Sequence, residues 1–369
     1  MEVSLPNDRV KWPEVYGLVA LNVAIAISWI AYQEYQPVLV RQFSLSELGG
    51  FMIITRAMVL VFIPPIAGFI ADRLTVSYGK PFIVFTVGII VTAMVFMIVA
   101  SIIGLGPSQP LAAALPVMIL LWLIGMNVFT APAHSMVEMF ASSRRLPVVM
   151  GVLVLVTDLI YALEPMVVLL VRTFGEVLTF VAGGILIMGT GYIFYRLTTD
   201  EIYDRKQHFL SSARQIMPWS VALVIATTGL FLGVGRGFIE EYIPRSSVTV
   251  PVRKDVLSFM MMGSSALVAF VSGGFLSRNS ILPIGKAVTI SSLLIVTGVA
   301  IIIMATGMFL QGAGMVLLCG SLGVAHVTCL PYAFKLLSVR NITFGIGLFL
   351  GASEIASGLL EIYYGFFTP

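Results

Sequence analysis

The sequence predicts an all-α polytopic membrane protein folded as two related halves, six helices followed by five. Three observations predict it. The 369 residues are 59% hydrophobic and only 11% charged, with a mean hydropathy of +1.02, where soluble domains carry roughly 25% charged residues. The apolar residues gather into long runs rather than period-two stripes. And motifs in the first half recur in the second at a nearly constant spacing.

Eleven runs are long enough to cross a bilayer, which takes about 20 apolar residues: near 13–37, 47–70, 82–104, 111–137, 147–171, 175–196, 218–242, 255–276, 284–306, 308–333 and 342–365. Helices are the form in which such runs satisfy their backbone in lipid. The N-terminal MEVSLPNDRVKW lacks the apolar core and cleavage site of a signal peptide, so the first helix is expected to remain. With a cytoplasmic N-terminus, fourteen Lys and Arg fall on inner segments, from Arg9 to Arg340. Five (Arg41, Arg172, Arg245, Arg253 and Lys254) fall on outer ones, a positive-inside bias. An integral multi-pass protein, of a prokaryotic plasma membrane and with its C-terminus outside, is the expectation. The lipid bilayer is its first partner, and nothing suggests nucleic acid. Cys319 and Cys329 share the tenth run, so no disulfide framework, metal site or cofactor is indicated. No nucleophile–histidine–acid set suggests an enzyme.

The one long polar stretch, Leu197 to Ile216, divides the chain into a six-helix half (1–196), a cytoplasmic linker (197–216) and a five-helix half (217–369). Glu34, Tyr35 and Pro37 match Glu241, Tyr242 and Pro244, 207 residues on. Gly68, Gly79 and Lys80 match Gly274, Gly285 and Lys286 at 206, and Gly151 and Asp158 match Gly347 and Glu354 at 196. GMNVFTAP (from Gly125) echoes GVAHVTCLP (from Gly323). Four ordered matches point to duplicated architecture of the kind found in large transporters.

PIAGFIADRLTVSYGKPFI, Pro65 to Ile83, resembles the signature loop between helices 2 and 3 of the major facilitator superfamily, here Gly68, Asp72, Arg73, Gly79 and Lys80. Its Gly-Lys-Pro-Phe-Ile ending and NVFTAPAHSM, Asn127 to Met136, resemble the glycoside–pentoside–hexuronide:cation symporter and sucrose-transporter branch. The pattern departs from that branch at Ala131, His134 and Leu123. The resemblance implies a secondary transporter that moves a small solute by alternating access, with symport of protons, and a signature loop that stabilises one state. A twelfth helix is absent from the pattern. A different class therefore stands beside this one: a non-transporting accessory or assembly subunit, with a membrane-protein partner where that helix would sit.

Membrane-embedded charges are costly, roughly 2.5–3.5 kcal/mol each at the bilayer centre, and normally face protein or water. Arg56, Asp158 and Glu354 fall at mid-depth. Helix 2 packs on helix 11 in the family arrangement, so an Arg56–Glu354 pair is expected, leaving Asp158 to bind and release protons; static pairs fixing helix register are the other reading. Glu34, Arg236, Glu240 and Glu241 lie near the outer mouth. Either Arg236 reaches Glu34 across the halves as a gate, or Arg236 and Glu240, four apart, pair locally. Asn22, Asn127, Thr130, His134 and His326 are candidates for polar groups lining a cavity, and equally for ordinary interhelical hydrogen-bonders.

Overall fold

The computed structural model describes residues 9–42, 49–78, 82–106, 114–211, 217–246, 253–278 and 282–367. Its elements are α1 (Trp12–Gln42), α2 (Gly49–Tyr78), α3 (Ile83–Gly104), α4 (Leu115–Val128), α5 (Thr130–Ser135), α6 (Leu146–Ala162), α7 (Glu164–Leu197), α8 (Thr199–Ser211), α9 (Trp219–Gly237), α10 (Ile243–Arg245), α11 (Lys254–Arg278), α12 (Ile284–Met304), α13 (Met308–Leu336), α14 (Ile342–Ser353) and α15 (Ile355–Phe367). Phe238–Tyr242 is a π-helical turn joining α9 to α10, and the described residues contain no strand. Ten helical stretches are long and apolar enough to cross a membrane, and Leu146–Ala162 is a shorter apolar helix. The protein is integral and multi-pass.

The sequence predicts a break between the runs ending at 171 and starting at 175. The chain reverses there. Gly175 has φ 74° and ψ 171°, a left-handed conformation that only glycine adopts without strain. Thr179 donates its hydroxyl proton to the Val171 carbonyl at 3.2 Å. In an unbroken helix those residues would lie about 12 Å apart along the axis. Tyr35 on α1 donates to the same carbonyl at 2.9 Å, fixing the turn against the first helix.

The two halves meet along two helix pairs. α2 runs antiparallel to α14 and α15, and α6 packs on α11. Both seams are lined by glycine. A Cβ at Gly68 would collide with the Thr343 carbonyl, one at Gly347 with that of Pro64, one at Gly351 with that of Val61, and one at Gly273 with that of Pro147. Missing side chains let backbones approach closely where lipid supplies no hydrophobic drive for association. The lipid-facing surface is apolar instead: Phe51, Met58, Phe62, Leu267, Val271 and Leu293 are among its exposed side chains.

One end of the bundle is tied across the halves by helix-terminus contacts. Asp72, buried at the end of α2, accepts hydrogen bonds from the Phe344 backbone N–H at 2.8 Å and from that of Thr343 at 3.4 Å, at the N-terminus of α14. There the unsatisfied N–H groups and the dipole favour an anion. Arg144, ahead of α6, mirrors it by donating to the Ser277 and Arg278 carbonyls at the C-terminus of α11, at 3.1 and 3.0 Å. At the same end Lys11 reaches Glu201 on α8 at 2.6 Å, which joins the start of α1 to the polar segment between the halves. Arg73 is exposed, and Gly79 and Lys80 lie outside the described residues.

Candidate functional site

Several helices depart from regular geometry at one level, and charged side chains collect there. α9 passes into the π-helical turn at Phe238–Tyr242, a distortion often found at functional sites. α6 ends at Ala162, and only Leu163 (φ −88°, ψ 14°) separates it from α7, which starts at Glu164. α14 ends at Ser353, and Glu354 sits in the joint before α15.

Within this level, Arg236 at the end of α9 donates to Glu240 at 2.7 Å, and its guanidinium lies 5.5 Å from the Tyr161 ring on α6. Three residues before Tyr161, Asp158 is 9% exposed, with its carboxylate 3.8 Å from His326 Nδ1 on α13. Glu354 faces the same group, within electrostatic reach of Arg236, Glu240, Arg56 and Glu361. Asp158, Arg236, Glu240 and His326 line a small pocket with Ile239, Met262, Ser265 and Leu322, with room for about one water-sized group. Two of its buried polar atoms, Ser265 Oγ and His326 Nδ1, have no hydrogen-bond partner among the described residues. A buried polar atom without a partner costs about 1–3 kcal/mol.

The expected Arg56–Glu354 pair is not formed. Arg56 pairs with Glu361 at 2.9 Å and lies 5.6 and 5.9 Å from the rings of Trp29 and Tyr32. The cause is register. The contacts Gly68 to Thr343, Pro64 to Gly347 and Val61 to Gly351 set an antiparallel register that, continued, would seat residues 355–356 against Arg56. Beyond the joint at Glu354, Ala57 meets Gly358, Ile53 meets Gly365 and Gly50 meets Phe366. The partner helix has slipped by more than one turn, which carries Glu361 to Arg56 and leaves Glu354 turned toward Arg236.

The gate in which Arg236 reaches Glu34 is also absent. Glu34 takes Arg172 of its own half at 2.8 Å, Arg236 takes Glu240, and Glu241 pairs with Arg245. The last two are the local pairs that i, i+4 spacing favours. The helix 4 candidates are likewise held within their own helix. Asn127 Nδ2 donates to the Leu123 carbonyl, Thr130 to that of Asn127, and His134 Nδ1 to that of Thr130, at 2.8–2.9 Å. Asn22 is buried on α1. Of the predicted polar groups, the structure brings His326, not His134, to the charged cluster.

Sequence reasoning missed Glu361, Tyr161 and Ser265. Glu361 was signalled by its seven-residue spacing from Glu354, which keeps it on the same helix face, and Tyr161 by its position three after Asp158. Ser265 carried no signal, because a serine in an apolar run is common.

No family model matches the chain, and no curated protein does. Solved structures do. The human organic anion transporter MFSD10 (TETRAN) is 16% identical over 96% of this chain and 94% of its own, with a TM-score of 0.65. A bacterial homologue of the iron transporter ferroportin, outward-facing with soaked iron, is 12% identical over 97% and 92%, with a TM-score of 0.67. The fold is that of the major facilitator superfamily. The superfamily's proton:xylose symporter XylE, bound to 6-bromo-6-deoxy-D-glucose, agrees over 95% of this chain and 86% of its own at 12% identity and a TM-score of 0.62. At such identities the likeness is one of fold. In the major facilitator fold of this chain the charged cluster lies where α6 of the first half faces α9, α13 and the α14–α15 joint of the second.

Proposed function

We infer that the chain is a secondary transporter that carries a small polar or amphipathic solute through alternating access, with coupling to protons. One observation carries this reading: Asp158 and Glu354 are set among opposed helices of the two halves, and neither carboxylate has a Lys or Arg partner within 4.0 Å among the described residues. A carboxylate set between the halves without a fixed ion-pair partner is a group that can exchange a proton as the halves move. The helix breaks beside them give the halves somewhere to bend. Asp72 and Arg144, bound to helix ends across the halves, hold one end shut and must let go for that end to open. The chain divides for this motion into the halves 1–196 and 217–369, with 197–216 as their tether, and crosses the membrane eleven times from a cytoplasmic N-terminus.

The expression test is flux in proteoliposomes. Purified protein should acidify or alkalinise the lumen when a solute gradient is imposed. Asp158→Asn should abolish coupled accumulation while leaving solute exchange. Coupling unchanged in that variant removes Asp158 from the mechanism. A stoichiometric co-purifying membrane protein with no flux of any solute would favour the accessory-subunit reading instead.

A further inference from the structure

We propose that the Asp158–His326–Ser265 cavity takes a protonated primary amine with an apolar tail, a substrate class that rests on the transporter reading above. The charge balance comes first. Each cation near the site is already held by its own carboxylate: Arg56 by Glu361, Arg172 by Glu34 and Arg236 by Glu240. Among the described residues, three further carboxyls lie on the Arg236 side of these pairs. Glu164 is exposed at the start of α7, within electrostatic reach of Glu34 and Glu240, and Asp158 and Glu354 lie deeper. Arg236 itself lines the pocket, but with Glu240 as its partner the carboxyls around it outnumber the cations, and an excess of one sign concentrates the opposite ion.

The second observation is independent of charge. Ser265 is 1% exposed and its hydroxyl oxygen has no partner, and His326 Nδ1 is likewise unpartnered. Both line the cavity with Asp158. An ammonium group has three N–H donors and no acceptor. It matches three acceptors: the Asp158 carboxylate, the Ser265 oxygen, and His326 Nδ1 in the tautomer protonated at Nε2. The space among them is about the size of a water molecule and so of an ammonium head, and Ile239, Met262 and Leu322 give the apolar part of the wall along which a tail would leave. An anion would need a free cation, and both Arg236 and Arg56 are occupied. A sugar would need several donors and acceptors around its ring, and three apolar side chains take that space. Proton and amine then compete for the same carboxylates: the amine enters as a proton leaves.

The test uses the full chain in lipid nanodiscs and isothermal titration with phenethylammonium chloride, sodium benzoate and xylose at pH 5 and pH 8. Phenethylammonium should bind saturably, at least 10-fold more tightly at pH 8, and at least 10-fold more weakly to Asp158→Asn, Glu354→Gln and Ser265→Ala. Benzoate and xylose should not bind. Unchanged affinity in the Asp158→Asn/Glu354→Gln double variant overturns the proposal, because partition into lipid alone would give that result. Saturable benzoate or xylose binding, or no saturation by phenethylammonium, overturns it as well. Counterflow in proteoliposomes separates the two readings. Binding without counterflow defeats transport and keeps the amine site, and counterflow of benzoate or xylose without amine binding does the reverse.

Discussion

Replacing Arg56 by Met should destabilise the protein more than removing both partners of its ion pair. Arg56 and Glu361 meet at 2.9 Å with side chains only 16% and 20% exposed, and they tie α2 to α15 across the halves. Removing one member of such a pair leaves a buried charge uncompensated, at about 3–5 kcal/mol. The Arg56→Met variant also loses its contacts with the Trp29 and Tyr32 rings, worth about 0.5–2 kcal/mol. Arg56→Met/Glu361→Leu loses those ring contacts but strands no charge, and replacing both members by apolar groups is often neutral. In a thermal unfolding assay in detergent, the single variant should melt about 5–10 °C below the parent, and the double variant should recover more than half of the difference. Glu354→Leu should interact with Arg56→Met much less than Glu361→Leu does. Additive losses for Arg56 and Glu361, or stronger coupling of Arg56 to Glu354, would refute the register argument.

Other consequences follow from the same geometry. Asp72→Asn keeps the shape of the contact at the start of α14 but removes the charge, at about 0.5–2 kcal/mol of charge–dipole energy. Solvent labelling of cysteines placed on that end should therefore rise several-fold. Gly347→Leu forces a side chain into the Pro64 carbonyl and should abolish a monodisperse gel-filtration peak, whereas Gly320→Leu, which has open space around its Cβ position, should leave the peak unchanged. Gly175→Ala, at φ 74° and ψ 171°, should cost about 1–3 kcal/mol, seen as a lower melting temperature with flux retained.

Much of this was legible in the residues because lipid imposes strong rules. Long apolar runs had to be helices, and the paired motifs around Gly68, Glu34 and Asp158 announced a duplicated plan. Asp158, Arg236, Glu240, Glu354 and His326 stood out because charge and imidazole are rare in such runs, and the structure gathers them. What could not be read was side-chain partnership. Arg56 misses Glu354 because the joint at that residue slips the register of one helix against another, an effect without a sequence signature. Glu34 takes Arg172 because the reversal at Gly175 brings the end of one run back beside the first helix. Helix 4 polar groups turned to their own backbone, since a carbonyl four residues back is always within reach.

The central claim is that the two halves alternate, with the Asp72 end closed here. It is tested most directly by the distance across that end. Arg73 and Lys335 are exposed there in opposite halves. Spin labels at these positions, with buried Cys319 and Cys329 replaced by serine or alanine, would report the distance by double electron–electron resonance in nanodiscs. The account predicts two populations, a shorter one matching this structure and a longer one that gains weight in Asp72→Asn. A single distance, the same at pH 5 and pH 8 and unmoved by Asp72→Asn, would contradict it.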